Sequence, residues 1–496
     1  VRIKSGLRSI LCFGLLALAT APLSAQESPR TGDLWAGLEK CELAAAGGRI
    51  TATALCGTLT VPENPEQPEG RQLELSFAVK AARASNALPD PVVFLAGGPG
   101  QSARDTLPIM QRALHELNRD RDLIFLDQRG TGGSNALECS FDEQGELWLE
   151  PDWEELNRQL RDCLEEWDAD VRFYTTAHGA RDLDALRQAY GLESLNLIGG
   201  SYGTRMAQVY LRHYPEHVRS VVLDGVVPTR LPLGSEHAEM LDRSLGKVFA
   251  ACREDDACGS AFPDLDAAFE TLKTRYRADD GPQLVVTHPR TGEGVDLRFT
   301  RDVLSGALRF LAYGPESQMM IPYLVHEAAS TGNPQRLASQ AMIVSDQMSD
   351  MIAIGLNFAV GCSEDWPVWP DGVDQTGTLL GESMSEIYEQ VCAWWPAGDT
   401  PSDFHEPFDA EVPVLLMSGE LDPVTPPGYG EEAAAQFSNS RHLIADGRGH
   451  IVSTTPCMSS IATQFVRAAS VDELDVECMD HLGHEPFFLD LLGPAP

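Results

Sequence analysis

Four short apolar runs stop abruptly on glycine or aspartate: PVVFLAGGPG (91–100), DLIFLDQRGTGGS (122–134), LNLIGGSYG (195–203) and VRSVVLDG (218–225). A run with no polar face has nothing to show to water, so both of its sides must be covered. Parallel sheets under two layers of helix meet that demand. The intervening stretches suit such helices. In ARDLDALRQAYGL (180–192), Leu183, Leu186 and Tyr190 share one face and Gly191 supplies the stop. RQLELSFAVKAA (71–82) alternates partly and reads as an antiparallel strand. Strands alternating with helices predict an α/β fold with a mostly parallel, doubly wound sheet.

The alternation breaks after the fourth run. From about 230 to 410 the chain is mainly helix-like, with Pro, Trp and Met scattered through it. VPVLLMSGELDPVTPP (412–427) and RHLIADGRGH (441–450) then resume the strand-and-loop pattern, and a helix is expected from about Thr455. The core is therefore expected in two parts, 26–229 and 411–496, with a helical insertion at 230–410. The first 25 residues form a separate segment. Arg2, Lys4 and Arg8 precede the apolar SILCFGLLALATAPLSA, and small Ser24 and Ala25 close it. That is the shape of a secretory signal peptide cut near Ala25. The apolar run is short for a membrane span, so no stable membrane insertion is expected after cleavage.

Eleven cysteines fit an exported chain. Setting Cys12 aside leaves an even set in five sequence-local couples, as a disulfide framework requires. Paired in order they are Cys41–Cys56, Cys139–Cys163, Cys252–Cys258, Cys362–Cys392 and Cys457–Cys478, one connectivity among those ten cysteines allow. No C-x2-C pair and no H-E-x-x-H occurs, so no metal is expected. With 74 acidic and 37 basic residues the net charge is -37, which repels phosphate backbones and argues against nucleic acid as a partner.

In open α/β sheets, ligands bind beyond the carboxyl ends of the strands. Gly199-Gly200-Ser201-Tyr202-Gly203 stands at such an end and fits G-x-S-x-G, a strand-to-helix turn that holds a serine at its tip. Small neighbours let strand and helix cross closely around Ser201. The turn also aims the Tyr202 amide at the place where negative charge develops. AGGPG (96–100) ends an earlier strand, and Gly97 or Gly98 there offers a second amide, Gly98 being the preferred oxyanion donor. The loop lacks the G-K-[ST] ending of a phosphate cradle. A serine hydroxyl needs a base, and the base needs an orienting carboxylate. Asp422 follows one late strand and His450 another, in the chain order Ser, Asp, His. His450 is preferred over His442, His481 and His484 because it alone lies in a glycine-rich loop just past a strand. Asp127 and Arg129, in DQRGTGGS, are expected to pair and hold the loops.

With GGPG, DQRGTG, GGSYGT, LDPVTPP and GRGH in that order, the sequence resembles the α/β-hydrolases of the prolyl iminopeptidase-like group, a group of serine peptidases. Within it, the chain most resembles the secreted tripeptidyl-aminopeptidase branch. The stretch AVGCSEDWP (359–367) matches a C-x-[DE] element of that branch. One position departs: Ala96 stands where the iminopeptidases proper carry His. The resemblance implies an α/β-hydrolase fold with a helical cap, no cofactor, and secreted or periplasmic hydrolysis of short peptides from a free N-terminus. Glu364 and Asp365, beside Cys362, are the expected anchors for the substrate's ammonium group. Trp366, Trp369, Trp394 and Trp395 are expected mainly as cap core. A secreted carboxylesterase with the same Ser201, Asp422 and His450 is the alternative.

Overall fold

The computed structural model describes residues 34–45, 48–139, 153–277, 281–349 and 351–494. The expected signal peptide and Cys12 lie outside the described residues. The described residues form eleven strands: β1 (Glu39–Ala44), β2 (Thr51–Pro62), β3 (Gln72–Lys80), β4 (Val92–Leu95), β5 (Leu123–Leu126), β6 (Leu195–Gly200), β7 (Val218–Asp224), β8 (Gln283–Thr287), β9 (Gly294–Arg298), β10 (Val414–Gly419) and β11 (Ser440–Ala445). Nine of them make one sheet in the order β1-β2-β3-β5-β4-β6-β7-β10-β11. From β5 to β11 every pairing is parallel, whereas β1, β2, β3 and β5 pair antiparallel. The sheet is the mostly parallel α/β sheet that the apolar runs predict, and its fold is the α/β-hydrolase fold that the resemblance implies. The N-terminal segment is more than an appendage: β1 and β2 extend the sheet, and Cys41–Cys56 ties them together.

Residues β4, β5, β6 and β10 are buried throughout. Their side chains alternate between two apolar layers. Val93, Leu95, Leu197 and Leu416 join the core on one face, and Val92, Phe94, Ile198 and Leu415 join the core on the other. Covering both faces explains why these strands carry no polar alternation.

The insertion divides in two. Residues from Ala238 to Met342 build a core of their own, joined by Leu379, Leu380, Leu421 and Phe487. This part includes the β8–β9 hairpin, absent from the mainly helical expectation. The later part, including Ile354, Phe358, Cys362, Trp395 and Phe404, packs into the main sheet's own core. Five disulfides join Cys41 to Cys56, Cys139 to Cys163, Cys252 to Cys258, Cys362 to Cys392 and Cys457 to Cys478. Among the described residues, no helix is long and apolar enough to cross a membrane.

Candidate active site

The strand order reverses around β4 and β6: the chain leaves β4 toward β5 and leaves β6 toward β7. Crossovers diverge there and open a crevice at the strand ends. Register Leu95↔Gly199 sets AGGPG beside GGSYG within it. Ser201 has φ 53 and ψ -125, a conformation that costs an L-residue about 1–3 kcal/mol and persists only where packing enforces it. The enforcing contacts are visible. A Cβ on Gly203 would stand 2.1 Å from Leu95 O, and one on Gly199 would stand 2.4 Å from Gly203 O. Strand and helix thus cross with no room for a methyl group, and Ser201 stands partly exposed at the tip of the turn. It makes no capping bond to helix Tyr202–His213.

Of the two candidate glycine amides, Gly97 N–H is already donated to Gln101 Oε1 at 3.1 Å. Gly98 and Tyr202 amides have no acceptor among the described residues. A Cβ on Gly97 would lie 3.1 Å from Ser201 Cβ, which puts the glycine loop directly over the serine.

His450 Nδ1 donates to Asp422 Oδ2 at 2.8 Å, which leaves Nε2 as an acceptor. Asp422 is fully buried. It also accepts the Val424 and Thr425 amides at 2.9 and 2.8 Å and the Thr425 hydroxyl at 2.7 Å. Burial pushes the Asp422 carboxyl up, but His450 and those donors outweigh it and hold the group below its ordinary value. His450 is raised above 6.5: burial opposes its charge, and Asp422 and Asp224 overcome that opposition. The ring reaches the serine's neighbourhood through β7. Ser201 N donates to Asp224 O at 2.9 Å, and a Cβ on the next residue, Gly225, would lie 3.0 Å from His450 Cε1.

Asp224 is a residue the sequence reading passed over. Its buried carboxylate accepts Val452 N at 3.0 Å and Ser453 N at 2.8 Å, so it holds the loop that carries His450. The only sequence signal was the aspartate ending VVLD.

Glu364 and Asp365 lie in one π-helical turn, Gly361–Asp365, and both are closed from solvent. Asp365 Oδ1 is already held by Arg205 Nη1 at 2.7 Å and Leu233 N at 2.8 Å, while Oδ2 is buried with no partner. Glu364 accepts Thr176 N at 2.6 Å and the Thr176 hydroxyl at 2.7 Å. Burial raises Glu364 to about 7, against the opposing charge of Arg205. Thr176 Oγ1 in turn lies 2.7 Å from the Tyr202 hydroxyl, to which Gln128 Nε2 donates at 3.1 Å. A continuous chain of hydrogen bonds therefore runs from the acidic turn to the residue after Ser201. Asp127 and Arg129 do not pair with each other, contrary to expectation. Asp127 accepts from Ser102, Arg104 and Gly133, and Arg129 grips Asp182 with two bonds of 2.7 Å. Each is a buried brace for a loop. Trp395 is buried against Phe358 and Trp394 donates to Asn157, and both pack with the main sheet's core rather than with the separate core of the insertion.

The fold and this constellation define a serine hydrolase of the α/β-hydrolase class. Residues 90–292 match the family model described as alpha/beta hydrolase fold, and residues 378–478 match that of TAP-like protein. The two matches and the fold support an α/β-hydrolase, and the TAP-like match makes its later part similar to the tripeptidyl-aminopeptidase branch. It is similar to serine protease Hip1 of Mycobacterium tuberculosis, 25% identical over 87% of this chain and 88% of that one. It is also similar to the tripeptidyl aminopeptidase of Streptomyces coelicolor, 25% identical over 94% and 89% of the two chains. Carboxylesterase B of Mycobacterium tuberculosis is 26% identical over 95% and 97%.

Proposed function

We propose that this serine hydrolase is an exported aminopeptidase that cleaves short peptides near a free N-terminus. Ser201 Oγ attacks the scissile carbonyl carbon while His450 Nε2 takes its proton. The amides of Gly98 and Tyr202 hold the oxyanion. His450 then gives that proton to the leaving amine as the C–N bond breaks, and an acyl-enzyme remains. Water, deprotonated by His450, attacks the ester, and the proton returns to Ser201. Asp422 fixes the imidazole's tautomer and stabilises its charged form. The observation that carries the chemistry is the His450–Asp422 bond beside a strained serine with two unpartnered amides.

Glu364, Asp365 and Arg205 carry the amine specificity. With both carboxylates ionised the cluster holds one net negative charge in a dry setting, and Asp365 Oδ2 is an acceptor with nothing to accept. An ammonium group satisfies both deficits. The cap limits access to short peptides. Five disulfides favour an oxidising compartment.

A carboxylesterase is the second reading, favoured by the likeness to carboxylesterase B. Turnover of free-amine peptide anilides, their N-blocked counterparts and simple esters separates the two. The aminopeptidase reading expects free-amine substrates to lead; blocked peptides cut equally well would sink it. Ser201→Ala is expected to fold, lose turnover and escape labelling by a serine-reactive phosphonate.

A further inference from the structure

Arg309 is the conspicuous unpaired cation near the candidate site. Buried arginines elsewhere in this chain sit on carboxylates: Arg121 on Asp90, Arg129 on Asp182 and Arg205 on Asp365. Arg309 has none. Its Nη2 donates to His237 Nδ1 at 3.1 Å, its Nη1 lies 3.6 Å from Met384 Sδ, and its Nε is buried without a partner. His237 is itself held neutral, first by burial and then by Arg309's own charge. A chain with twice as many acids as bases thus leaves a half-buried guanidinium beside a neutral imidazole and a thioether. The last turn of helix Arg301–Leu311 favours a cation but supplies no counter-ion.

The place of Arg309 is as telling as its lack of a partner. Tyr313, just past the same helix, accepts His450 N at 2.8 Å through its carbonyl. Its ring stands edge-on to the imidazole with centroids 5.1 Å apart. Arg309 is close enough to oppose protonation of His450. The acidic turn, by contrast, reaches the serine from the Tyr202 side through Thr176. In amide hydrolysis the base hands its proton to the leaving amine, so the His450 side is the leaving side. A cation there faces whatever follows the cut bond.

We propose that Arg309 binds a carboxylate on the leaving portion of the substrate, so that the enzyme prefers peptides bearing an anion just beyond the scissile bond. The carboxylate is the terminal one of a very short peptide or the side chain of an acidic residue. The direction of the argument rests on the aminopeptidase reading, because that reading defines the leaving side.

The test compares kcat/KM within matched pairs on the purified chain. One pair is tetra-alanine as free acid and as terminal amide. A second is an amidated peptide with Asp or Asn after the cut bond. A third is a phenyl acetate whose leaving phenol bears a carboxylate or a carboxamide. The wild type is expected to favour the charged member by about tenfold or more, the factor a charged hydrogen bond supplies. Arg309→Met is expected to bring that ratio near one, and Arg309→Lys to keep part of it. Preference in the first pair assigns the terminal carboxylate, and preference in the second assigns the side chain. A wild-type ratio near one in every pair overturns the proposal, as does an undiminished ratio in a folded Arg309→Met. If Arg309→Met does not fold, the wild-type ratios and Arg309→Lys decide. If peptides stay uncut while phenyl esters turn over, the aminopeptidase reading has failed, and the third pair alone judges Arg309.

Discussion

Ser201 owes its reach to two glycines it does not touch through its hydroxyl, and His450 owes its tautomer to a carboxylate that never meets the substrate. Asp422 accepts three bonds from Val424 and Thr425 and a fourth from Nδ1–H. Asn in its place presents an amide that can donate to Nδ1 and turn the proton onto Nε2, the wrong nitrogen for a base. Asp422→Asn is therefore expected to fold and to lose on the order of 10^4 in kcat. Steady-state turnover alongside thermal melting checks both halves. The pH profile carries a second signature. His450 must be neutral to accept the serine proton, and its value lies above 6.5, so activity falls as pH falls through that raised value. Glu364, raised to about 7, must be ionised to hold an ammonium group, and it too is lost as pH falls. Both protonations act in the same direction. The acid limb of log kcat/KM for a free-amine peptide should approach a slope of about two, and in Glu364→Gln a slope of about one with a raised KM. A limb that keeps its two-proton slope in that variant removes Glu364 from amine binding.

The elbow between β6 and helix Tyr202–His213 is the element whose geometry everything else serves. Its tolerance can be predicted from what a methyl group would meet. Gly203→Ala drives Cβ into Leu95 O at 2.1 Å, a backbone atom that cannot move without moving β4. The expected loss is about 1–3 kcal/mol or more by denaturant unfolding, with activity falling further as Ser201 shifts. Gly428, early in helix Pro427–Ala434, is the contrast: its Cβ would meet nothing within 4 Å. Gly428→Ala is expected to be neutral or to stabilise by roughly 0.4–1 kcal/mol. Equal losses at both sites would show that packing at the crossing does not hold the elbow. The elbow was legible in the sequence because its information is local, five residues between an apolar run and a helical one. Asp422 and His450 were legible for a related reason, since residues just past strands in a parallel sheet gather at one edge whatever their separation. Asp224 was not, because its work is done on Val452 and Ser453, 228 and 229 positions away, with no pattern to advertise it. Thr176 escaped likewise: its tie to Glu364 spans 188 positions. The acidic pair was singled out for its chemistry alone, and that Arg205 holds Asp365 was not legible because it depends on how two helical segments meet.

Three large apolar cores divide the described residues, one on each face of the sheet and one in the early insertion, and that division was hidden in a stretch whose composition hardly changes between 230 and 410. The later insertion returns to the sheet. It lays Ala353 N on Gly100 O at 2.9 Å and Asn357 Nδ2 on Pro99 O at 3.2 Å, so it braces the AGGPG loop as well as carrying Glu364 and Asp365. Two disulfides report on the two parts separately. Cys362–Cys392 closes a separation of 30 within the sheet's core, and Cys252–Cys258 closes one of 6 within the cap's own core. Loop-closure entropy assigns them roughly 3–4 and roughly 2 kcal/mol. Calorimetry on Cys362→Ala with Cys392→Ala should lower the transition in which the sheet unfolds. The same variant should raise KM for free-amine peptides, because the turn beside Cys362 loses its tether to helix Ser383–Cys392. Cys252→Ala with Cys258→Ala should lower only the melting of the cap, with KM for the same peptides near that of the wild type. If both pairs lower one shared transition and shift KM alike, the insertion is a single body and the later segment has no separate hold on the site.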